Sequence, residues 1–574
     1  MRPDHIDADV AVVGSGFSGS LMAMCLRRRG RRVVLIERGR HPRFTIGESS
    51  TPLANLLLEE LCDRYELPRI RSFSKWGTWQ RAHPDVGCGL KRGFTFFFHR
   101  LHEAFGPDQD HAQQLLVAAS PHDDISDTHW YRPDFDEALV HEAEAEGVIY
   151  LDDTRIDRFL ETASGVEMAA VRHSRDLRIA AGFLVDASGP RGFLHRALGL
   201  EEGPLRWLPA TQGLYTHFEK VQRWDSLTPV EAAPYPVDAA AVHHVFHGGW
   251  IWVLRFGNGI TSAGAALRDQ TAAAIQASDG KAAWSRLLSM LPSVGEQFRA
   301  ARPTLPFVHV PRLAFRSRIV CGERWAMLPS AAGVIDPLLS TGFPLTLLGV
   351  TRLLELLENA SAGSERTAAL QRYARISQDE LDATERLVAA LYANLTEPLT
   401  FKRLALLYFA AASYSEAARR LGRAYLAPGF LLSGHSRFGP ELNACAEAAL
   451  ARPAGDARAA LFDRVDRAIE PFDVAGLLDR SRRDWHPVRA EDLMTNRQKL
   501  EATRDEVIAL LERTGFSRDG PASSPAAAQS DRRETVHRKA HRPPRSAAGS
   551  SRRRPRGTRR TTAPTSTARS SWGR

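Results

Sequence analysis

The sequence predicts an α/β fold in three parts: an N-terminal βαβ unit, a mixed β-sheet region and a helical C-terminal region. Three observations support this prediction. An apolar strand near the N-terminus ends in a glycine-rich turn, strand-like and helical stretches alternate as far as about residue 360, and the pattern from there to about Leu511 is helical and rich in Ala, Leu, Arg and Glu. Short apolar runs that alternate with helices are typical of buried parallel strands.

Residues 9–36 have the pattern of a dinucleotide-binding unit. Strands at 9–13 and 31–36 flank a GxGxxG turn and a helix at 20–29. In such a turn two glycines let a pyrophosphate approach the helix N-terminus, and the third lets the helix pack on the strand. The predicted contacts are Gly14, Gly16, Ser18 and Gly19.

The second strand of this unit ends in an acid, Glu37, 23 residues after Gly14. A carboxylate at this place accepts hydrogen bonds from ribose hydroxyls and disfavours a 2′-phosphate. The pattern therefore predicts a Rossmann-like domain that binds FAD or NAD rather than NADP.

Three later motifs follow in a fixed order: GESSTP at 47–52, GWIW at 249–252 and DPLLSTG at 336–342. Together with the βαβ unit, they resemble the flavin-dependent halogenases. The resemblance is greater to the phenol and pyrrole branch, which includes aminopyrrolnitrin-type and tetracycline-type enzymes, than to the tryptophan branch. It spans roughly residues 8–360.

The resemblance implies a chemistry and a domain order. FAD would be used as FADH2 with O2 and a halide, chloride or bromide, to halogenate an electron-rich phenol, pyrrole or polyketide ring in natural-product biosynthesis. A separate NAD(P)H flavin reductase is the implied partner, and the ring arrives free or on a carrier protein. We expect an FAD-binding catalytic domain of the flavin monooxygenase/halogenase type at 1–360, with a β-rich substrate region inserted at about 205–315. A helical region is expected at 361–516.

A lysine is the residue that the resemblance makes catalytic, because in this family it guides the electrophilic halogen to the ring. We assign this role to Lys91, which opens an aromatic-rich strand. Alternation predicts Phe94 and Phe96 on one face of that strand and Lys91 on the other. Lys75 is the alternative, since it too follows the GESSTP turn.

Two tryptophans, Trp250 and Trp252, share one face of a predicted strand because side chains alternate with period two. By resemblance they form a wall that keeps the substrate from the flavin. The family signature continues with Ile and Pro, whereas this chain has Leu254 and Arg255. Arg255 adds a charge on the face opposite the tryptophans.

The segment Ser340, Thr341 and Gly342 opens a predicted helix, whose first amides form an anion site. By resemblance these residues bind the halide. Tryptophan halogenases place a glutamate where this chain has Leu339, so the phenol and pyrrole branch is favoured. Residues 328–333 lack the aspartate of related flavin hydroxylases, which favours a halogenase over a hydroxylase.

Other polar residues are predicted to contact FAD, and a metal site is not expected. The predicted FAD contacts are Arg43, Glu48, Ser49, Arg132, Asp186 and Asp336. His243, His244 and His247 invite a metal interpretation, but His244 would face away from the other two on a strand.

Charge and cysteine content limit the remaining classes. Residues 517–574 hold 15 Lys/Arg and 3 Asp/Glu, so the total charge of +9 leaves −3 for the rest of the chain. This tail is predicted to be disordered. The five cysteines are widely spaced, and neither a signal peptide nor a transmembrane run is apparent, which predicts a cytoplasmic protein.

Two alternatives remain open from the sequence. One is an FAD-dependent monooxygenase or oxidoreductase of the same fold without halide chemistry, suggested by Arg255. The other is a protein that binds RNA or a membrane surface through the basic tail at 517–574, although it leaves the FAD motif unexplained.

Overall fold

The computed structural model describes residues 4–106, 110–228, 230, 232–360 and 363–516. The basic tail lies outside the described residues, so its predicted disorder and the hypothesis of nucleic-acid or membrane binding stay predictions. The strands are β1 (Asp4–Val13), β2 (Val33–Ile36), β3 (Cys88–Lys91), β4 (Gly93–Phe98), β5 (Gln114–Ala118), β6 (Asp127–Trp130), β7 (Ile149–Leu151), β8 (Thr154–Glu161), β9 (Val166–Arg172), β10 (Arg175–Asp186), β11 (Thr211–Glu219), β12 (Ala241–Phe246), β13 (Gly249–Arg255), β14 (Ile260–Arg268), β15 (Arg302–Pro303), β16 (Val308–Val310), β17 (Phe315–Arg316), β18 (Trp325–Met327), β19 (Gly333–Val334) and β20 (Trp485–His486).

The α-helices dominate the second half of the chain. They are α1 (Phe17–Arg28), α2 (Pro52–Arg64), α3 (Pro68–Arg71), α4 (Trp76–Ala82), α5 (Arg132–Ala145), α6 (Phe193–Ala197), α7 (Trp224–Leu227), α8 (Asp269–Ala274), α9 (Lys281–Ser289), α10 (Pro292–Gln297), α11 (Pro329–Ala332), α12 (Gly342–Asn359), α13 (Ser364–Ala393), α14 (Pro398–Arg420), α15 (Phe438–Leu450), α16 (Gly455–Ile469), α17 (Ala490–Thr495) and α18 (Arg504–Arg513).

The first sheet confirms the predicted Rossmann-like unit. Its strand order is β7-β2-β1-β10-β9-β8, with β18 beside β10. β1 runs parallel to both β2 and β10, with Val13 opposite Ile36 and Asp186. Because parallel strands end at the same edge, the turns after β1, β2 and β10 meet there, and this is where α/β sheets bind ligands.

β1 is longer than the sequence predicts, since it begins at Asp4 rather than Asp9. Its first residues pair with Leu177 to Ala181 of β10. They are mostly exposed and polar. The apolar pattern identified only the buried part of the strand, whereas the extension depends on backbone pairing.

The second sheet draws its strands from three parts of the chain. Its order is β15-β11-β14-β13-β12-β4-β5-β20, with β16 beside β11. β4 pairs in parallel with β12, and β20 pairs in parallel with β5. The predicted β-rich region therefore shares its sheet with strands outside 205–315. Four helices, α7 to α10, also interrupt that region.

The helices after residue 360 pack into the same hydrophobic core as the first sheet. One continuous cluster of buried side chains includes β1, β10 and α1 together with α13, α14 and α15. Among the described helices, none combines the length and the hydropathy that a membrane span requires. The described residues belong to one compact unit.

Candidate active site

The glycine-rich turn connects β1 to α1 at the ligand-binding edge of the first sheet. Gly14 has a φ of +100°, and a Cβ at this position would lie 2.7 Å from the backbone of Ala187. A Cβ on Gly19 would lie 1.9 Å from the carbonyl oxygen of Gly14. Gly16 caps α1 without a side-chain hydrogen bond, and Ser18 is buried in the first turn. The backbone N–H groups at the start of α1 can therefore donate to the oxygen atoms of a ligand.

Glu37 lies beside this turn, directly after β2. Its Oε2 accepts hydrogen bonds from the backbone N–H of Ser15 at 3.1 Å and from Nη2 of Arg43 at 3.2 Å. Burial raises the pKa of Glu37, but Arg43 and the N–H groups of Gly39 and Ser15 outweigh it, so that the pKa is lowered overall. The carboxylate stays ionised and is a suitable acceptor for ribose hydroxyls.

Three of the residues predicted to contact FAD carry buried polar atoms without a hydrogen-bond partner among the described residues. They are Nε of Arg43, Oε2 of Glu48 and Oγ of Ser49. A buried donor or acceptor left unpaired costs about 1–3 kcal/mol. A bound group that pairs with these atoms is therefore favoured, and the residues fit the FAD that the fold implies.

Arg132 and Asp186 lie at the same edge but have partners within the chain. Arg132 forms a buried ion pair with Asp136 (Nη2 to Oδ2, 2.7 Å) and donates to the carbonyl oxygen of Gly47 at 2.8 Å. Asp186 accepts from the backbone N–H of Ser188 at 2.9 Å and of Leu194 at 2.7 Å. Both residues thus stabilise turns at this edge of the sheet, and their contact with FAD stays a prediction.

Asp336 is linked to the tryptophan strand through a residue of the helical region. Its Oδ2 accepts from the Tyr392 hydroxyl at 2.8 Å, and that hydroxyl accepts from Nε1 of Trp250 at 3.0 Å. Its Oδ1 accepts from the backbone N–H of Leu338 at 3.0 Å. Burial raises the pKa of Asp336 to about 7. Sequence reasoning missed Tyr392, because nothing in its helical pattern distinguishes it from a core residue.

The predicted halide segment lies at the start of α12. Ser340 has a φ of +53°, and Thr341 caps the helix without a side-chain hydrogen bond. A Cβ on Gly342 would meet no atom within 4 Å. Phe343 stacks on Trp130 with ring centroids 4.3 Å apart, and this contact joins the start of α12 to the end of β6. Backbone amides are thus presented at an open helix start.

Lys91 is completely buried, with 0% of its surface exposed. Its Nζ donates to the carbonyl oxygen of Ser50 at 2.5 Å and lies 3.9 Å from the ring centroid of Phe94. The prediction that Lys91 and Phe94 lie on opposite faces of one strand was wrong. The chain breaks at Arg92 into β3 and β4, which pair with different partners, and this break brings the lysine over the ring.

Asp127 is a buried carboxylate that sequence reasoning missed. It lies opposite Lys91 across the β3–β6 pair. Its Oδ1 accepts from Nδ2 of Asn55 at 2.7 Å and lies 4.0 Å from Nζ of Lys75. The two candidate lysines therefore flank one carboxylate. The only sequence signal was a charged residue inside a short strand that is otherwise buried.

The two tryptophans share one face, as predicted. Their ring centroids are 5.7 Å apart, and Nε1 of Trp252 donates to Oγ of Ser262 at 3.3 Å. Arg255 points away from them and donates to Asp238 (Nε to Oδ1, 2.9 Å) and to the carbonyl oxygen of Val221 at 3.0 Å. The arginine thus stabilises loops on the side of the sheet opposite the tryptophans. Its charge does not lie on the face that carries Trp250 and Trp252.

A buried histidine pairs with the predicted FAD contact Glu48. Nε2 of His217 lies 2.7 Å from Oε1 of Glu48, and both side chains are excluded from water. His217 also packs against Phe44 and Tyr131. The alternating pattern of β11 does not distinguish this histidine from the core residues of the sheet, so sequence reasoning missed it.

Aromatic side chains of α14 cover the strand that follows Lys91. The ring of Phe94 lies 5.3 Å from that of Phe409 and 6.0 Å from that of Tyr408. Phe401 packs against Phe96 at 5.8 Å. The helical region therefore forms part of the surroundings of Lys91.

The histidines of β12 do not form a metal centre. His243 packs on Phe96 at 4.4 Å, whereas Nε2 of His244 lies 3.1 Å from Oε1 of Gln297. Burial lowers the pKa of His243 to about 3. Within the described residues, no group of three or more His, Cys, Asp or Glu is arranged to hold a metal ion.

Comparison with known proteins identifies the family of this chain. The family model of the FAD dependent oxidoreductases matches residues 9–333. The monodechloroaminopyrrolnitrin halogenase PrnC of Pseudomonas fluorescens is 30% identical over 399 residues, which are 68% of this chain and 68% of that protein. The tetracycline 7-halogenase of Kitasatospora aureofaciens is 31% identical over 398 residues, which are 66% of this chain and 69% of that protein.

A solved structure shows the same fold. The crystal structure of the halogenase PltM in complex with phloroglucinol and FAD has a TM-score of 0.75 and 24% identity, and the match covers 83% of this chain and 99% of that one. The fold and site therefore define an FAD-dependent oxidoreductase. Within that class, the chain belongs to the flavin-dependent halogenases.

Proposed function

We propose that the protein halogenates an electron-rich aromatic ring of the phenol or pyrrole class, with Lys91 as the catalytic lysine. The observation that carries this proposal is the buried Nζ of Lys91, which lies against the ring of Phe94 and hydrogen-bonds to the turn at Ser50. A buried ammonium over an aromatic ring is held in one orientation, as guiding an electrophile to one carbon requires.

The chain's own residues divide the remaining work. When bound and reduced, FAD would supply two of the four electrons that take O2 to water, and the halide would supply the other two as it becomes the electrophilic halogen. The amides of Thr341 and Gly342, with Ser340, bind the halide at the start of α12. Trp250 and Trp252 exclude the aromatic substrate from the flavin, so that the halogen must pass by Lys91 to reach it.

The substrate class follows from the relatives and from the surroundings of Lys91. The two relatives act, by name, on monodechloroaminopyrrolnitrin and tetracycline. The ring of Phe94 lies against the lysine and packs on Tyr408 and Phe409, and such aromatic surroundings favour a flat, apolar substrate. Leu339 stands where tryptophan halogenases carry glutamate, so a tryptophan substrate is disfavoured.

A separate NAD(P)H flavin reductase completes the proposed system, and the ring is supplied free or on a carrier protein. We also propose a cytoplasmic location. The five cysteines, Cys25, Cys62, Cys88, Cys321 and Cys445, are free thiols, as a reducing compartment allows.

Bromination of a panel of phenols and pyrroles tests the proposal. The protein is supplied with FAD, NADH, a flavin reductase, O2 and bromide, and products are examined by mass spectrometry for the bromine isotope doublet. We expect Lys91→Met to reduce bromination by about 10²-fold or more, which is the scale of losing one positioned proton donor.

Lys281→Met is the matched control, because Lys281 is exposed at the start of α9. It should brominate like the wild type. Undiminished bromination by Lys91→Met would reassign the lysine, and oxygenated product formed without halide would favour a monooxygenase.

A further inference from the structure

The surroundings of Lys91 pose a problem of charge. The side chain is fully buried, and burial penalises an ammonium unless an opposite charge lies near. Its hydrogen bond to Ser50 and its contact with Phe94 supply only partial charges. A lysine that has lost its proton cannot act as a charged donor to an oxidised halogen.

Asp127 is the carboxylate placed to solve this problem. It is 2% exposed and is the cross-strand neighbour of Lys91 in the β3–β6 pair. Directly opposed residues of an antiparallel pair have Cβ atoms about 5 Å apart, and water is excluded between these two. The attraction therefore acts through a medium of low dielectric constant.

Burial raises the pKa of Asp127 to about 6, and two neighbours from other elements oppose this by favouring its charged form. Nδ2 of Asn55, from α2, donates to Oδ1 at 2.7 Å. Nζ of Lys75, which precedes α4, lies 4.0 Å from the same atom, and its side chain is 19% exposed. Oδ2 of Asp127 has no hydrogen-bond partner among the described residues. The Oδ2 atom of the carboxylate is thus available to Lys91, while Oδ1 faces Asn55 and the partly exposed Lys75.

The other titratable groups that face Lys91 and Asp127 do not replace Asp127 as the negative charge beside the lysine. His129 and His243 face Lys91 from β6 and β12, and burial lowers the pKa of each to about 3, so both are neutral. Tyr408 and Glu416 face Asp127 from α14. Burial raises the pKa of the Tyr408 hydroxyl, so it is neutral too, while the Glu416 charge opposes that of Asp127.

We propose that Asp127 is a positioning residue that keeps Lys91 protonated, and that Lys75 belongs to the same buried ion cluster rather than acting on the substrate. This inference rests on the proposed role of Lys91. It also accounts for both candidate lysines, since Lys91 lies against the ring of Phe94 and Lys75 lies beside the shared carboxylate. Burial lowers the pKa of Lys91 and the charge of Asp127 partly opposes this, in agreement with the geometry.

The protonation of Lys91 can be measured without any halogenation. The chain has seven lysines, at 75, 91, 220, 281, 402, 499 and 539. Labelling lysine with ¹³C at Cε gives few NMR signals, and Lys91→Met identifies the one of interest by its loss. The full-length protein with oxidised FAD is titrated, and the midpoint of the Lys91 signal is followed.

We expect Asp127→Asn to lower this midpoint by at least about one pH unit, a tenfold change in the proton equilibrium. Asp127→Glu should restore it in large part. The control is Asp124→Asn, which removes a carboxylate that is 53% exposed and paired with Arg81, and it should leave the midpoint unchanged. An unchanged midpoint in Asp127→Asn would overturn the inference.

Lys75→Met provides a second test should Asp127→Asn fail to fold. Removing a like charge near the pair should raise the Lys91 midpoint, and a midpoint that stays or falls would contradict the ion cluster. In bromination assays, Asp127→Asn should lose rate at a lower pH than the wild type, because Lys91 loses its proton earlier.

The two proposals fail separately. A shifted midpoint in a protein that brominates none of the panel would refute the proposed function and keep the ion cluster. Normal bromination with an unshifted midpoint would refute the ion cluster and keep the proposed function.

Discussion

At the scale of single residues, burial determines what the site's side chains can do. Lys91, Asp127 and Asp336 are ionisable groups in water-excluded positions, and burial disfavours the charged form of each. Their chemistry therefore depends on which partner each one has. Lys91 has the aromatic ring and the carboxylate, whereas Asp336 has a tyrosine hydroxyl.

Gly14 is a residue at which a single methyl group should strongly weaken cofactor binding. A Cβ would meet the Ala187 backbone at 2.7 Å, and the φ of +100° is strained for any other residue. We expect Gly14→Ala to weaken FAD binding by about 100-fold, or about 2.7 kcal/mol. Quenching of flavin fluorescence on titration measures this.

Gly30→Ala separates the two causes of that loss. Gly30 has a φ of +77°, but a Cβ there would meet no atom within 4 Å. This variant carries the backbone strain without the collision, and its FAD affinity should match that of the wild type. Equal weakening in both variants would show that general destabilisation, and not the turn, is responsible.

At the scale of elements, contacts between distant segments connect the motifs. β3 and β4 are separate because they pair with β6 and with β12 and β5, respectively. α13 joins Asp336, which precedes the predicted halide segment, to the tryptophan strand through Tyr392, and α14 covers Phe94. The helical region is therefore part of the site's frame.

Tyr392→Phe tests this link between α13 and β13. The substitution leaves Oδ2 of Asp336 and Nε1 of Trp250 without their buried partner. We expect the free energy of unfolding to fall by about 1–3 kcal/mol, measured by urea denaturation. Tyr425→Phe removes a hydroxyl from a side chain that is 67% exposed, and it should change stability by less than about 0.5 kcal/mol.

A loss of stability in Tyr425→Phe equal to that in Tyr392→Phe would argue against a special role for the buried link. Wild-type stability in Tyr392→Phe would show that Asp336 and Trp250 find other partners.

At the scale of the whole molecule, one hydrophobic core joins the first sheet to the C-terminal helices. The predicted domain boundary at residue 360 crosses this core. Removing α13 and α14 would expose Phe94 and Phe96, and burial of such a side chain is worth about 1.5–3 kcal/mol.

Truncation tests how far the two predicted regions depend on each other. We expect residues 1–360 alone to show no cooperative thermal transition, because their core is incomplete. Residues 1–516 are the control and should unfold at the same temperature as the full chain. A cooperative transition of the shorter chain in calorimetry would establish an independent catalytic domain.

Local patterns allowed much of the molecule to be predicted from sequence. The βαβ unit, the cofactor class and the shared face of Trp250 and Trp252 follow from periodicity and turn chemistry, which depend on neighbouring residues. The motif order was sufficient to identify the family. The alternation also placed Arg255, which differs from the family signature, on the face opposite the tryptophans.

Only the tertiary structure decided which of these residues meet. The break at Arg92, the Asp127 carboxylate between Lys91 and Lys75, and the 142-residue separation between Trp250 and Tyr392 carry no local signal. Their contacts arise from pairing and packing between remote segments. The sequence by itself determined the cofactor and the family, and the packing determined the charge and the surroundings of the lysine.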